Sequence, residues 1–98
     1  MAINGLVDWL EPWAEWLISL SPQQIRVTST YRSYTDQLSL WNNRATNPYP
    51  VAPPGSSYHQ YGRAFDLNGP LEILTQLGAI WNSVGGTWHP SDPIHFQA

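Results

Sequence analysis

Ninety-eight residues allow one small folding unit and leave no room for a second core. Hydrophobic residues make up 42%, including six Trp and five Tyr, and charged residues only 11%, a balance that supports a packed core and excludes a disordered tail. With no cysteine, a disulfide framework, a thiolate metal site and a cysteine nucleophile are all excluded, and a net charge of -3 with four Lys plus Arg provides no basic track for nucleic acid.

The first twenty residues are rich in apolar side chains, but Asp8, Glu11 and Glu15 interrupt them and no Lys or Arg precedes Arg26. That pattern is expected of neither a secretory signal nor a membrane span, so action outside the cytoplasm would need delivery by something other than this N-terminus. Ile3, Leu6, Val7, Leu10, Trp13, Leu17 and Leu20 follow the spacing of one helical face and predict a helical segment over residues 3–20, with a second piece starting at Pro12. After Ser21-Pro22, the β-branched alternation of residues 25–30 predicts a strand ending near Tyr31-Arg32. Ser33 and Asp36 have the spacing of a capping box, with Asp in place of Glu or Gln, and open a helix over residues 34–45.

Residues 46–57 hold Pro48, Pro50, Pro53 and Pro54 with Gly55, Ser56 and Ser57, a composition that resists helix and central strand alike. A stiff loop of this length in a compact domain often walls a binding site. Residues 64–67 predict a strand, and Asn68-Gly69-Pro70 opens a helix that buries Ile73, Leu74, Leu77, Ile80, Trp81 and Val84 and ends at Gly85 or Gly86. A turn-rich stretch leads to a last short strand over residues 94–97. The tryptophans at 9, 13, 16, 41 and 81 fall on helices and are expected in the core.

Two segments carry chemistry. Ser57-Tyr58-His59-Gln60-Tyr61-Gly62-Arg63-Ala64-Phe65-Asp66 sets a histidine and a carboxylate seven positions apart across a glycine-bearing turn, and Ser91-Asp92-Pro93-Ile94-His95-Phe96 supplies a second histidine. Strand alternation turns Phe65, Leu67, Ile94 and Phe96 toward the core and Asp66 and His95 away from it. If the two strands are neighbours, His59, Asp66 and His95 converge as a three-ligand zinc set that leaves a fourth position for water, acidified to a pKa of about 7. Asp92, three residues before His95, is the candidate base, and Arg32, whose donor fork stays charged, the candidate clamp for an oxyanion or substrate carboxylate.

Thr30-Tyr31-Arg32-Ser33 with Gln37-Leu38, then Ser57-x-His59-x-x-Gly62-x-Ala64-x-Asp66, then Trp88 and Asp92-x-x-His95-Phe96, resembles the zinc D-Ala-D-Ala carboxypeptidases and L-alanyl-D-glutamate endopeptidases. That group includes phage endolysins and vancomycin-resistance dipeptidases and shares its fold with the hedgehog signalling domain. The resemblance spans residues 25–97 in the right order. It implies an α+β fold, a small antiparallel sheet with helices packed on one face and the metal on the open face. It further implies zinc on His59, Asp66 and His95, Asp92 as base, Arg32 as clamp, Ser57 as a substrate contact, and bacterial peptidoglycan peptide as the substrate. Gln37 matches a position near the site without an assigned role. Two departures stand out: many members carry Glu where Asp92 stands, and Gly85-Gly86-Thr87-Trp88 has threonine where the endolysin-like branch commonly has Asp.

Other side chains take blander roles. His89 is expected to be a loop histidine, although a fourth ligand is its alternative. Trp88, beside the motif, is expected to line the cleft. Gly62 serves backbone geometry. Arg26, Arg44 and Arg63 are expected to be ordinary surface cations, while Asp36, Glu11, Glu15 and Glu72 read as helix-start or solvent-facing charges. The whole chain is expected to form one zinc peptidase domain, monomeric, with residues 1–20 as an N-terminal helical segment and 25–97 as the catalytic core. Such a domain would act at the cell wall, reached through lysis or on a virion if phage-encoded. A catalytically silent, zinc-stabilised peptidoglycan-binding module and a phage structural component are the alternatives; Asp92 and Arg32 beside the ligands favour the enzyme, since a structural zinc needs neither.

Overall fold

The computed structural model describes residues 3–98, so the first two residues of the expected N-terminal helical segment lie outside the described residues. In chain order the elements are α1 (Glu11–Ser19), β1 (Arg26–Ser29), α2 (Tyr34–Asn42), a 3₁₀ turn at Arg44–Thr46, a second at Tyr58–Tyr61, β2 (Ala64–Asn68), α3 (Leu71–Ser83), β3 (Thr87–Trp88) and β4 (His95–Gln97). The strands form one antiparallel sheet in the order β1-β2-β4-β3, the α+β architecture expected from the sequence.

Alternation along the central strands divides the sheet into a dry face and a polar one. Phe65 and Leu67 of β2, with Phe96 of β4, are fully buried against α3, where Ile73, Leu74, Leu77 and Trp81 supply the facing side chains. The Phe65 ring stacks on Phe96 and meets Trp81 edge-on, both at 5.4 Å between centroids. Gly78 leaves the space that the Trp88 ring fills, because a Cβ there would collide with it. Helix α1 adds Ala14, Leu17 and Ile18 to the same core, and Leu10 just before it does likewise. Helix α2 contributes little to that layer: its one buried residue is Gln37, and Gln37 and Leu40 line the cavity over the polar face. Ser33 caps α2 by accepting the Asp36 N–H, as its spacing predicts.

The N-terminal segment departs from the expected helix over residues 3–20. Helix begins only at Glu11, with Pro12 in its first turn, where its missing N–H costs nothing. Upstream, Gly5 has φ of +92° and the Val7 N–H is bonded to the Gly62 carbonyl, so residues 3–10 run as an irregular strap that still buries Ile3 and Leu10. The tryptophans also differ from expectation. Trp81 is buried, but Trp9, Trp13 and Trp16 are exposed, and Trp41 is half-buried under the Arg44 guanidinium. On α3, Val84 lies outside the buried face, being 43% exposed past the end of the helix.

Candidate metal centre

Register brings the polar side chains together. A bulge between Val27 and Ser29 sets Ser29 opposite Asp66, and Asp66 in turn pairs with His95, so three strands present these residues in one row. Their neighbours on the other face are core apolar groups, which fixes the row on the polar side. His59 comes from the 3₁₀ turn leading into β2. Ser57 caps that turn by accepting the His59 N–H, and Gly62 closes it with φ of +68°, a left-handed conformation that a Cβ would strain. The His59 carbonyl accepts the Arg32 N–H at 3.0 Å, tying the end of β1 to the histidine turn.

Within this frame His59, Asp66 and His95 offer ligand atoms that all lie within 4.8 Å of one another. His59 Nε2 is 3.1 Å and His95 Nδ1 is 3.3 Å from the same Asp66 oxygen, Oδ1. His59 Nδ1 sits 2.6 Å from the Thr30 carbonyl oxygen, which has no hydrogen to give, so Nδ1 carries the proton and a neutral ring turns a lone pair toward Asp66. Lone pair then faces lone pair unless a proton or a cation lies between them. Two imidazoles and a carboxylate converging in this way fit a divalent ion with a preference for nitrogen and oxygen, such as zinc, with room for a further ligand.

Charges in the cluster follow from the same contacts. Burial pushes the Asp66 carboxyl up, but hydrogen bonds and charge from His59 and His95 outweigh it and hold its pKa at about 2, against an ordinary 3.8. Burial pushes the His95 imidazole down, yet Asp66, Gln97 and Asp92 together raise it above its ordinary value, which favours a proton between Nδ1 and Asp66 Oδ1. Asp92 is raised, chiefly by burial.

A cavity of about 500 Å³ opens over the cluster, and Arg32, Ser57, His59, Asp66, Asp92 and His95 all line it. Its far wall is the proline-rich loop anticipated from composition, contributing Asn47, Tyr49, Pro50, Val51 and Ala52. Arg32 is aimed by three contacts: NH1 donates to Gln37 Oε1 at 2.8 Å, NH2 donates to Ser29 Oγ at 2.9 Å, and NH2 lies 3.7 Å from Asp66 Oδ2. Gln37 is buried and its Nε2 donates to the Ala52 carbonyl at 2.7 Å, joining the guanidinium to the loop wall. Its helix spacing alone gave no sign of this brace.

Trp88 departs from the expected cleft position. It pairs with Phe96 across β3 and β4, which puts its ring on the core face, where it is 9% exposed. There its indole N–H donates to the Pro93 carbonyl at 2.9 Å, bracing the turn that carries Asp92. His89 stands outside the metal-binding group, exposed, with Nδ1 and Ser91 Oγ 2.7 Å apart.

A family model described as D-alanyl-D-alanine carboxypeptidase, VanY, matches residues 19–88, a stretch that includes Arg32, Ser57, His59 and Asp66 and stops before Asp92 and His95. Among solved structures, the crystal structure of a mutant vancomycin resistance D,D-pentapeptidase VanY from a VanB-type resistance cassette, in complex with Zn(II), is similar at a TM-score of 0.71. Identity to it is 18%, covering 99% of this chain and 76% of that chain. No curated protein matches the sequence.

Proposed function

Given that this chain belongs to the VanY family of D-alanyl-D-alanine carboxypeptidases, we propose that it is a zinc peptidase that removes the terminal D-Ala from bacterial cell-wall peptide. The observation that carries the proposal is the convergence of His59, Asp66 and His95 on a common point in the floor of a cavity that also presents Asp92 and Arg32. Zinc bound there would supply Lewis acidity, polarising the scissile carbonyl and making a water nucleophilic at neutral pH.

The chain's own groups supply the remaining roles. Asp92 takes the proton from the attacking water and hands it to the leaving amine. Because aspartate is one methylene shorter than glutamate, its reach depends on the Ser91-Asp92-Pro93 turn, which the Asp92 N–H to His89 carbonyl bond and the Trp88 indole hold in place. Arg32, locked by Gln37 and Ser29, receives negative charge on the substrate, either the developing oxyanion or the terminal carboxylate. Ser57, buried at the cavity wall, shapes the His59 turn and contacts the substrate beside it.

The test is incubation of zinc-loaded wild type and Asp92→Ala with purified peptidoglycan, with released fragments identified by mass spectrometry. Free D-Ala from the wild type and none from the variant is the expected result. New N-terminal D-Glu would instead assign an L-alanyl-D-glutamate endopeptidase, and equal fragments from both proteins would refute the role of Asp92.

A further inference from the structure

The two histidines of the cluster are held by unlike partners. His59 rests on a backbone carbonyl, that of Thr30, whereas His95 rests on a side chain: its Nε2 lies 2.7 Å from Oε1 of Gln97. An amide oxygen accepts and never donates, so the neutral His95 ring must place its proton on Nε2 to make this bond. Nδ1, 3.3 Å from Asp66 Oδ1, is then left with its lone pair toward the metal position. We propose that Gln97 is a positioning residue for the metal centre, fixing the proton of His95 on Nε2 so that Nδ1 is the ligand atom. The inference rests on the reading of His59, Asp66 and His95 as a zinc site.

The fold supports this role at three points. Gln97 lies two residues after His95 on β4, so the two side chains share a strand face. Its backbone is strapped from both sides, paired with Ala64 of β2 and Thr87 of β3. Its carbonyl also accepts the indole N–H of Trp81 at 2.8 Å, anchoring the strand end to the largest buried side chain of α3. A glutamine orients the ring without adding charge to a cavity that already holds Asp66 and Asp92, which a glutamate would do. Were the amide turned over, its NH₂ would meet Nε2, the ring proton would move to Nδ1, and the ligand lone pair would be lost. Amide orientation and ligand atom are therefore the same choice.

The first test needs no mutation. In zinc-loaded protein labelled with ¹⁵N at histidine, where the metal stands between ring and carboxylate, His95 is expected to show a protonated Nε2 and an Nδ1 without a proton. A proton found on Nδ1 would overturn the inference. The second test is zinc titration by calorimetry. Gln97→Leu, which removes the acceptor, is expected to weaken zinc binding about 10- to 100-fold, the usual cost of losing an outer partner of a ligating histidine. Gln97→Glu, which keeps an acceptor oxygen, is expected to restore most of that loss, a rescue that a purely structural role would not give. Equal affinity of Gln97→Leu and wild type would refute the role. If the leucine variant does not fold, as its near-UV circular dichroism would reveal, the wild-type proton assignment decides the matter. Absence of zinc binding by the wild type would sink the zinc reading itself, whereas zinc bound with the ring proton on Nδ1 would sink the role of Gln97 alone.

Discussion

Removing the metal should leave a protein whose stability depends on acid through Asp66. The folded-state pKa of that carboxyl, about 2, lies below its ordinary 3.8, so the native state favours the charged form. A difference of about two pKa units corresponds to roughly 2–3 kcal/mol, present in full above the ordinary pKa and lost as pH falls through the folded value. His95 acts with the opposite sign. Its raised pKa stabilises the fold below its ordinary value of 6.5, and that contribution disappears as pH rises through the raised one. The raised Asp92 also favours its proton-bound form and offsets part of the Asp66 gain above the ordinary carboxylate pKa. Metal-free protein should therefore be most stable at mildly acidic pH and decline on both sides. Denaturant unfolding of metal-free wild type and Asp66→Asn across this range measures it, with the wild type losing roughly 2–3 kcal/mol more than the variant on the acid limb. Parallel acid limbs for the two proteins would refute the electrostatic account of the cluster.

Other consequences can be checked one at a time. Asp92→Asn should keep one zinc per chain by metal analysis while turnover of a D-Ala-D-Ala peptide falls about 10²- to 10⁴-fold. Arg32→Lys keeps the charge but loses the fork that reaches both Gln37 and Ser29, so kcat should fall roughly 100-fold in steady-state assays without loss of metal. Phe65→Ala removes a fully buried ring that contacts both Phe96 and Trp81, and urea unfolding should show a loss of about 3–5 kcal/mol. Gly78→Ala drives a methyl into the Trp88 ring and should lower Tm by an amount corresponding to about 1–3 kcal/mol.

The cluster was legible in the sequence because its placement depends on strand alternation and on one pairing. Once Phe65 and Phe96 are inward, Asp66 and His95 must face outward, and the antiparallel register makes them neighbours. The N-terminal helix was less legible because hydrophobic spacing does not report backbone hydrogen bonds. Ile3 and Leu10 reach the core, yet Gly5 and the Val7 bond to Gly62 set a non-helical path between them. The tryptophans misled for a related reason. Positions 9, 13 and 16 repeat at helical spacing, but so do Leu10, Ala14 and Leu17, one residue onward, and it is this second, smaller stripe that meets the core. Trp88 adjoins the site in sequence but stands opposite Phe96, so its side chain belongs to the other face. Neither Gln37 nor Gln97 could be given a role from the sequence, because each acts through a partner brought near only by the fold: Ala52 with Arg32 for one, the turned ring of His95 for the other.

The most direct measurement is anomalous diffraction at the zinc edge from crystals of the zinc-loaded protein. One peak is expected, bonded at about 2.0–2.2 Å by His59 Nε2, an Asp66 oxygen and His95 Nδ1, with Asp92 and Arg32 facing its open side. A zinc peak at His89 or elsewhere on the surface, with the His59, Asp66 and His95 cluster empty, would contradict the account.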